Sequence, residues 1–289
     1  MTVLRTAAFL PFRPLRLAIA AALLVLGVVG FACGGGLGAP PDAVHVLTAD
    51  GVVGPVMERY LDRGMDAAED EDAQAVVIQL DTPGGLITSM NDIVKRILSS
   101  EVPVIVYVSP QGGKAASAGT FITMAAHVAA MAPATTIGAA TPVGSGGEEI
   151  QGPLADKVTN DAAAQIRRLA ELRGRNGDWA ESAVRDAESA NDSQALELNV
   201  VDLLADDLDE LLDTVDGRQV TLHPDREVIL ETADAEVVFN DMNLIERFLD
   251  IIANPNIALL LLSLGSLAIF IEIIHPGVIF PGVFGVIAV

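Results

Sequence analysis

Apolar residues between positions 42 and 220 fall into two kinds of segment, short continuous runs and longer amphipathic stretches. The run from Ala75 to Leu80 is apolar except for Gln79, which is typical of a parallel strand covered on both faces. Leu86 to Leu98 instead carries apolar residues three or four positions apart, as on one face of a helix. Strand and helix in alternation predict right-handed crossovers and a mostly parallel sheet, hence an α/β domain.

The remaining segments of this region follow the same alternation. A short strand pair around a turn at Asp50-Gly51 is predicted over 42–56. Further strands are predicted within 102–109, 134–144 and 196–215, and further helices over 56–70, 117–131, 157–173, 179–188 and the second half of 196–215.

The pattern changes after Gly217. Short extended pieces are predicted over 218–240, followed by an amphipathic helix within 240–255 that is capped by Asn240 or Asp241 and carries an apolar face suited to a membrane surface. Residues 257–274 are apolar except for two serines and one glutamate, which is near the minimum length of a membrane span. A buried helix of a soluble core is the alternative.

The N-terminus has the pattern of an export segment. Three arginines, Arg5, Arg13 and Arg16, precede an apolar run over 17–32 and a small-residue tract. Positive charge stays in the cytoplasm, so we expect the α/β domain on the extracytoplasmic side of the cell membrane. The residues leave open cleavage near Ala32 or Ala39, lipidation of Cys33, and an uncleaved anchor.

The predicted organisation therefore has four parts. Residues 1–40 form a signal peptide or N-terminal anchor, 41–220 the α/β domain, 221–256 a linker with the amphipathic helix, and 257–289 the start of a truncated membrane domain. A hydrophobic fraction of 51% supports a membrane-associated chain.

Charge and cysteine content exclude some functions. After residue 40 the chain has 14 basic and 39 acidic residues, which disfavours binding to nucleic acid. The single cysteine, Cys33, excludes an intrachain disulfide and a cysteine-based metal cluster. We expect neither a metal nor a cofactor.

Two glycine-rich turns, at 83–85 and 112–119, follow predicted strands, where ligands of such sheets bind. Ser117 begins a predicted helix, so the amide of Ala118 has no partner within the helix and can bind an oxyanion. Gly84 and Gly85 can bring a second amide close to a substrate. Tight packing of small residues is the alternative explanation, and these residues alone do not decide between the two.

A catalytic serine also needs a base. His127 lies ten residues further on, about 15 Å along a continuous helix, so we interpret it as structural. Lys114 lies in a predicted extended loop and points away from Ser117, which favours a surface role. Lys157 opens a helix in a lysine-poor chain, and is either a solvated first-turn lysine or a base made neutral by desolvation.

Five stretches together resemble the NfeD family of membrane-bound serine proteases, whose protease domain is similar to signal peptide peptidase and ClpP. They are "VVIQLDTPGGL", "AASAGTFI", "IGAATPVG", "DKVTNDAAAQIRRLAELRGRN" and "LELNVVDLLADDLDELLDTVDGR". The tail from Asn254 resembles the start of the membrane domain of the family. The resemblance implies a ClpP/crotonase-like fold, followed by α-helical transmembrane segments.

The resemblance also implies a Ser-Lys dyad. The family serine falls on Ser117, and the family lysine falls on Lys157, just before a Thr-Asn pair. The oxyanion donors correspond to Gly85 and the amide of Ala118. The loop before Lys157 belongs to a type that is often mobile in this superfamily, so we expect the dyad to assemble with substrate.

By this resemblance the chain is a membrane-anchored serine endopeptidase that cleaves hydrophobic segments of membrane-associated, stomatin-like proteins and forms a dimer or higher homo-oligomer. Two rival functions are a non-enzymatic membrane scaffold for stomatin-like partners and a crotonase-type acyl-CoA enzyme. A scaffold needs neither Ser117 nor Lys157, and an exported acidic chain is a poor match for phosphate-bearing CoA.

Overall fold

A computed structural model of the chain describes residues 42–144, 147–148 and 150–274. The predicted export segment with Cys33 and the last apolar run lie outside these residues. The strands are β1 Val44–Asp50, β2 Ala75–Asp81, β3 Val104–Val108, β4 Lys114–Ala116, β5 Val128–Met131, β6 Thr136–Gly138, β7 Ser189–Asn191, β8 Leu203–Leu204, β9 Gln219–Leu222, β10 Arg226–Ile229 and β11 Val237–Phe239. The helices are α1 Pro55–Asp70, α2 Ile87–Leu98, α3 Ala118–Ala125, α4 Pro153–Leu172, α5 Gly177–Arg185, α6 Asp192–Glu197, α7 Leu208–Val215, α8 Leu244–Ala253 and α9 Pro255–Ile274.

The main sheet has the strand order β11-β1-β2-β3-β5-β8, and each of its pairs is parallel. This confirms the predicted α/β fold with a mostly parallel sheet. A hairpin of β9 and β10 and a small sheet of order β4-β6-β7 complete the strands of the described residues. The small sheet positions Ser117, which directly follows β4.

The core lies on both faces of the main sheet, which explains why its central strands are continuous apolar runs. On one face, Ile78 and Val106 belong to a cluster with buried residues of α1 to α5. On the other face, Val77 and Ile105 pack in a second cluster that includes Leu211 of α7.

Two predicted elements differ from the structure. The helix predicted over 117–131 ends at Ala125, and β5 follows at Val128, because the His127 amide binds the Val104 carbonyl at 2.9 Å and brings the chain into the sheet. Pairing with β3 and β8 here overrides the helix propensity of alanine. The strand pair predicted over 42–56 is also wrong, because β1 runs between β2 and β11 and Val53 forms only an isolated bridge with Gly85.

Two helices begin elsewhere than predicted. α4 begins at Pro153, four residues before Lys157, because proline suits the first turn of a helix. α8 is capped by Asn243 rather than by Asn240 or Asp241. Asn240 instead extends β11, and its amide binds the Val46 carbonyl at 3.0 Å. The segment 221–256 therefore supplies an edge strand of the main sheet as well as α8.

The C-terminal helices lie outside both core clusters. In the described part of the chain, no single helix is long and apolar enough to cross a membrane. The pair formed by Leu244–Ala253 and Ile257–Ile271 meets that requirement by length and composition, with a bend of 74° between the two helices.

Candidate active site

Ser117 lies between β4 and α3 with an unusual backbone conformation. Its φ is 54° and its ψ is −114°, and a positive φ is uncommon for a residue other than glycine. Such strain persists only where the surrounding structure enforces it, and it is frequent at functional sites. The side chain is half-buried at the start of α3.

Hydrogen bonds from the small sheet enforce this conformation. The Ser117 amide donates to the Gly138 carbonyl at 3.0 Å, and the Ser117 carbonyl accepts from the Thr120 amide at 3.0 Å. The buried Thr120 hydroxyl lies 2.9 Å from the Ala115 carbonyl and 3.1 Å from that of Gly138. β4, β6 and the first turn of α3 therefore hold the serine as one unit.

The glycine turn after β2 lies directly against Ser117. A Cβ atom built on Gly84 would lie 2.6 Å from the Ser117 Cβ and 3.0 Å from its Oγ. The φ of Gly84 is +116°, a value that side chains rarely tolerate. The structure thus brings Ser117 and Gly84 into contact.

Thr82 joins the two glycine-rich segments, and sequence reasoning missed it. Its amide donates to the Lys114 carbonyl at 2.7 Å, and its carbonyl accepts from the Ala116 amide at 3.0 Å. Its buried hydroxyl accepts from the Gly84 amide at 3.0 Å. The position of Thr82, two residues before the turn glycine Gly84, could have indicated this role, because threonine hydroxyls often bind backbone groups two residues further on in turns.

Two backbone amides beside Ser117 are suited to an oxyanion. Within the described residues, neither the Gly85 amide nor the Ala118 amide donates a hydrogen bond. Ala118 is the first residue of α3, where the helix dipole adds positive potential. The Gly85 backbone is fixed on its other side, since the Leu86 amide donates to the Val53 carbonyl at 2.8 Å.

Lys157 is not in hydrogen-bond contact with Ser117. It is exposed one turn into α4, and in the described parts of the chain its amine forms no hydrogen bond or ion pair. No residue between Pro153 and Asn160 is fully buried, and Arg185 Nη1 donates to Asn160 Oδ1 at 2.7 Å, so this end of α4 packs only loosely on the domain. The structure brings Gly84 into contact with Ser117, with Gly85 and Ala118 next to them along the chain, and does not bring Lys157 into hydrogen-bond contact with the serine.

The other two candidate bases also lie away from the hydroxyl. His127 is 8% exposed, and its Nδ1 accepts the Val104 amide at 3.1 Å. Burial, and secondarily Arg173 and Arg175, lower the pKa of His127 to about 3. Lys114 is exposed on β4, where its backbone amide donates to Asp81 Oδ1 at 3.0 Å.

Two arginines bind the far end of α3, and sequence reasoning missed these as well. Arg175 Nη1 donates to the Thr123 and Met124 carbonyls at 3.2 and 3.1 Å, and its Nη2 donates to Asp202 Oδ2 at 2.7 Å. Arg173 Nε donates to the last carbonyl of α3 at 3.0 Å. Positive charge at a helix C-terminus stabilises the helix, so these residues fix the element that begins at Ser117.

The α/β domain is similar to that of known proteins. The family model described as NfeD1b, N-terminal domain, matches residues 43–221. The chain belongs to this family, which confirms the resemblance found in the sequence.

The chain is similar to a named membrane-bound protease and to solved protease structures. Membrane-bound protease PH1510 of Pyrococcus horikoshii is 37% identical over 250 residues, which cover 85% of this chain and 56% of that protein. A solved 1510-N membrane-bound stomatin-specific protease, with one lysine replaced by alanine and a substrate peptide bound, has a TM-score of 0.69 and 35% identity, covering 73% of this chain and 98% of its own. A variant of that protease with one serine replaced by alanine has a TM-score of 0.64 and 37% identity, with coverages of 69% and 97%.

The chain spans about half the length of the curated relatives it matches.

Proposed function

We propose that the α/β domain is a serine endopeptidase in which Ser117 is the nucleophile and Lys157 the base. The observation that carries the proposal is the strained Ser117 at the start of α3, with Gly84 against its side chain and two amides without acceptors beside it, within the described residues. Solved relatives named as proteases, with a serine or a lysine replaced by alanine, support the same pair of residue types.

The reaction follows from these positions. Ser117 Oγ attacks the carbonyl carbon of the scissile peptide bond while Lys157 Nζ takes the hydroxyl proton. The amides of Gly85 and Ala118 donate to the oxyanion of the tetrahedral intermediate. The C–N bond then breaks, Lys157 returns the proton to the leaving amine, and water hydrolyses the acyl-enzyme by the reverse sequence of proton transfers.

We infer that the dyad assembles during binding, because Lys157 is exposed and forms no hydrogen bond with Ser117. A solvated lysine amine is protonated and a poor base, whereas removal of water favours the neutral form. We infer that a bound peptide draws the first turns of α4 onto the site and covers the amine. The absence of fully buried residues over 153–160 supports this movement, since only half-buried contacts and the Arg185–Asn160 hydrogen bond would have to change.

Apolar side chains around the glycine turn support a hydrophobic substrate. Val52, Leu86 and Ile87 are 54%, 47% and 47% exposed, and all three lie within two residues of the Val53–Gly85 bridge along the chain. An extended apolar peptide can cover them while it pairs with neighbouring backbone. We infer that the substrate is a hydrophobic segment of a membrane-associated, stomatin-like protein.

We further propose a ClpP/crotonase-like fold for the domain, anchorage to the cell membrane with the protease domain on the extracytoplasmic side, and a homo-oligomer of two or more copies. The family resemblance supports the fold and oligomer, and the arginines before the first apolar run support the orientation.

Cleavage of a fluorogenic hydrophobic peptide by the full chain in detergent tests the mechanism. Ser117→Ala and Lys157→Ala should each reduce kcat/KM by at least about a thousandfold, as expected for loss of a nucleophile or its base. Lys114→Ala is the matched control, because it removes an exposed lysine three residues from the serine and should leave kcat/KM within about twofold.

Labelling by a fluorophosphonate separates the protease from a scaffold. If Ser117 is labelled but the Lys157→Ala variant is fully active, the protein is a serine protease whose base is a residue other than Lys157. An unlabelled serine in a folded protein without peptidase activity would support the scaffold instead.

A further inference from the structure

Helix α8 has an apolar face that stays largely exposed in the described part of the chain. Its large apolar side chains are 39% to 85% exposed, and they are Leu244, Ile245, Phe248, Leu249, Ile251 and Ile252. At 3.6 residues per turn they occupy an arc of about 160°. The remaining arc contains Glu246, Arg247 and Asp250, so α8 is amphipathic.

The polar side of α8, and not the apolar side, is attached to the domain. Arg63 of α1 donates from Nε and Nη2 to the two carboxylate oxygens of Glu246, at 2.7 and 2.8 Å. Arg63 Nη2 also donates to the Asp241 carbonyl at 3.0 Å. A surface helix of a soluble protein has the opposite orientation, with its apolar stripe towards the core.

Glu246 also closes the N-terminus of α8. The Ile245 and Glu246 amides donate to Asn243 Oδ1 at 2.9 Å, and the Asn243 amide donates to Glu246 Oε2 at 2.8 Å. A helix of this length is marginal by itself, and none of its residues belongs to either core cluster, so the cap and the Arg63–Glu246 pair hold it in place. The orientation of the apolar face is therefore fixed.

The next helix indicates what covers that face. α9 continues from α8 as an almost wholly apolar helix, and the axes of the two differ by 74°. This is 16° short of a right angle. With α9 along the membrane normal, α8 would lie nearly parallel to the membrane plane, which is the orientation of an interfacial helix.

We propose that α8 is an interfacial helix, with its apolar face inserted among the lipid headgroups and upper acyl chains and its Arg63–Glu246 pair fixing the α/β domain above that surface. The contact is driven by apolar burial rather than by charge. Acidic residues outnumber basic ones on and around α8, where Asp241, Glu246 and Asp250 accompany Arg247, so anionic lipid gives no attraction.

A fluorescence depth measurement tests this proposal on the full chain. In a Cys33→Ser background, Phe248→Cys or Asp250→Cys carries an environment-sensitive nitrobenzoxadiazole label, and the chain is reconstituted in phosphatidylcholine vesicles. These two positions lie on nearly opposite sides of α8 and serve as each other's controls. Ile245→Cys provides a second position on the apolar face.

The emission of labels at 248 and 245 should be shifted to the blue relative to that of the label at 250. Lipids spin-labelled near the headgroup should quench the labels at 248 and 245 at least about threefold more than the label at 250. Adding anionic lipid or salt should not strengthen the quenching. Equal water exposure at 248 and 250 would overturn the proposal. A label at 248 that is shielded from water but not quenched by spin-labelled lipid would also overturn it, and would indicate a second protein copy on this face.

Discussion

Replacement of Gly84 by alanine tests whether the glycine turn shapes the nucleophile. A Cβ at this position would lie 2.6 Å from the Ser117 Cβ and 3.0 Å from its Oγ. Carbon atoms in contact normally lie about 3.5–4.0 Å apart, so Ser117 or the turn must move by roughly 1 Å. Because Ser117 is held by β4, β6 and α3, we expect the movement to distort the site rather than relax elsewhere.

Two effects contribute to the expected loss of stability, and a third to the expected loss of activity. Alanine at a φ of +116° is strained by about 1–3 kcal/mol whatever its neighbours. The steric contact adds an overpacking penalty of about 1–3 kcal/mol. A displacement of the reacting group by about 1 Å lowers the rate roughly a hundredfold. Gly84→Ala should therefore lower the free energy of unfolding by about 2–6 kcal/mol and activity by about two orders of magnitude.

Gly51→Ala is the matched control. Gly51 has a similar φ of +105°, but no atom of the described residues lies within 4 Å of the place that a Cβ would take there. This variant should show the backbone strain alone, a loss of about 1–3 kcal/mol, with activity within a few-fold of the parent.

The assay combines chemical denaturation in detergent with the rate of fluorophosphonate labelling of Ser117. A Gly84→Ala variant that labels as fast as Gly51→Ala would refute the reasoning, because the contact with Ser117 would then have no consequence.

Two further substitutions probe the core around α3. His127 has a pKa lowered to about 3 by burial, so the unfolded chain binds more protons than the folded chain between about pH 6.5 and 3, and stability is lost as pH falls through that window. In His127→Asn, the free energy of unfolding should therefore fall by about 2 kcal/mol less between pH 7 and pH 5 than in the parent. An equal fall in both proteins, measured by chemical denaturation, would contradict this. Arg175→Met should destabilise by about 3 kcal/mol, since the Asp202 side chain, 10% exposed, keeps the Ala129 amide at 2.7 Å but only the longer ion pair, with Arg218 at 3.4 Å. If Arg175 positions α3, Ser117 should be labelled more slowly in Arg175→Met than in the parent, and Arg175→Lys should partly restore the rate. Equal labelling rates in the parent and both variants would show that Arg175 has a purely structural role.

Much of the main sheet was predictable because its strands have a simple environment. β2 and β3 are buried on both faces, so their side chains are apolar at every or nearly every position. β5 has equally buried residues, but it is rich in alanine and follows a helix directly. Only pairing with β3 and β8 shows that this segment is extended.

The candidate active site was likewise predictable only in part. The Pro-Gly-Gly turn and the small residues around Ser117 predicted backbone amides close to a bound substrate, since glycine leaves room that a side chain would fill. The roles of Thr82 and Arg175 could not be predicted, because the atoms they bind belong to segments far away in the chain. For the same reason, the proximity of Lys157 to Ser117 is a tertiary property, and the two form no hydrogen bond in the structure.

The sequence by itself determined the alternation of strands and helices, the helix start at Ser117 and the amphipathic character of α8, because each depends on residues within a few positions of one another. Tertiary structure decided which groups meet: the strain at Ser117, the contact with Gly84, the exposed position of Lys157 and the outward apolar face of α8. These depend on hydrogen bonds and ion pairs between distant segments, such as Arg63 with Glu246, whose geometry no local pattern encodes.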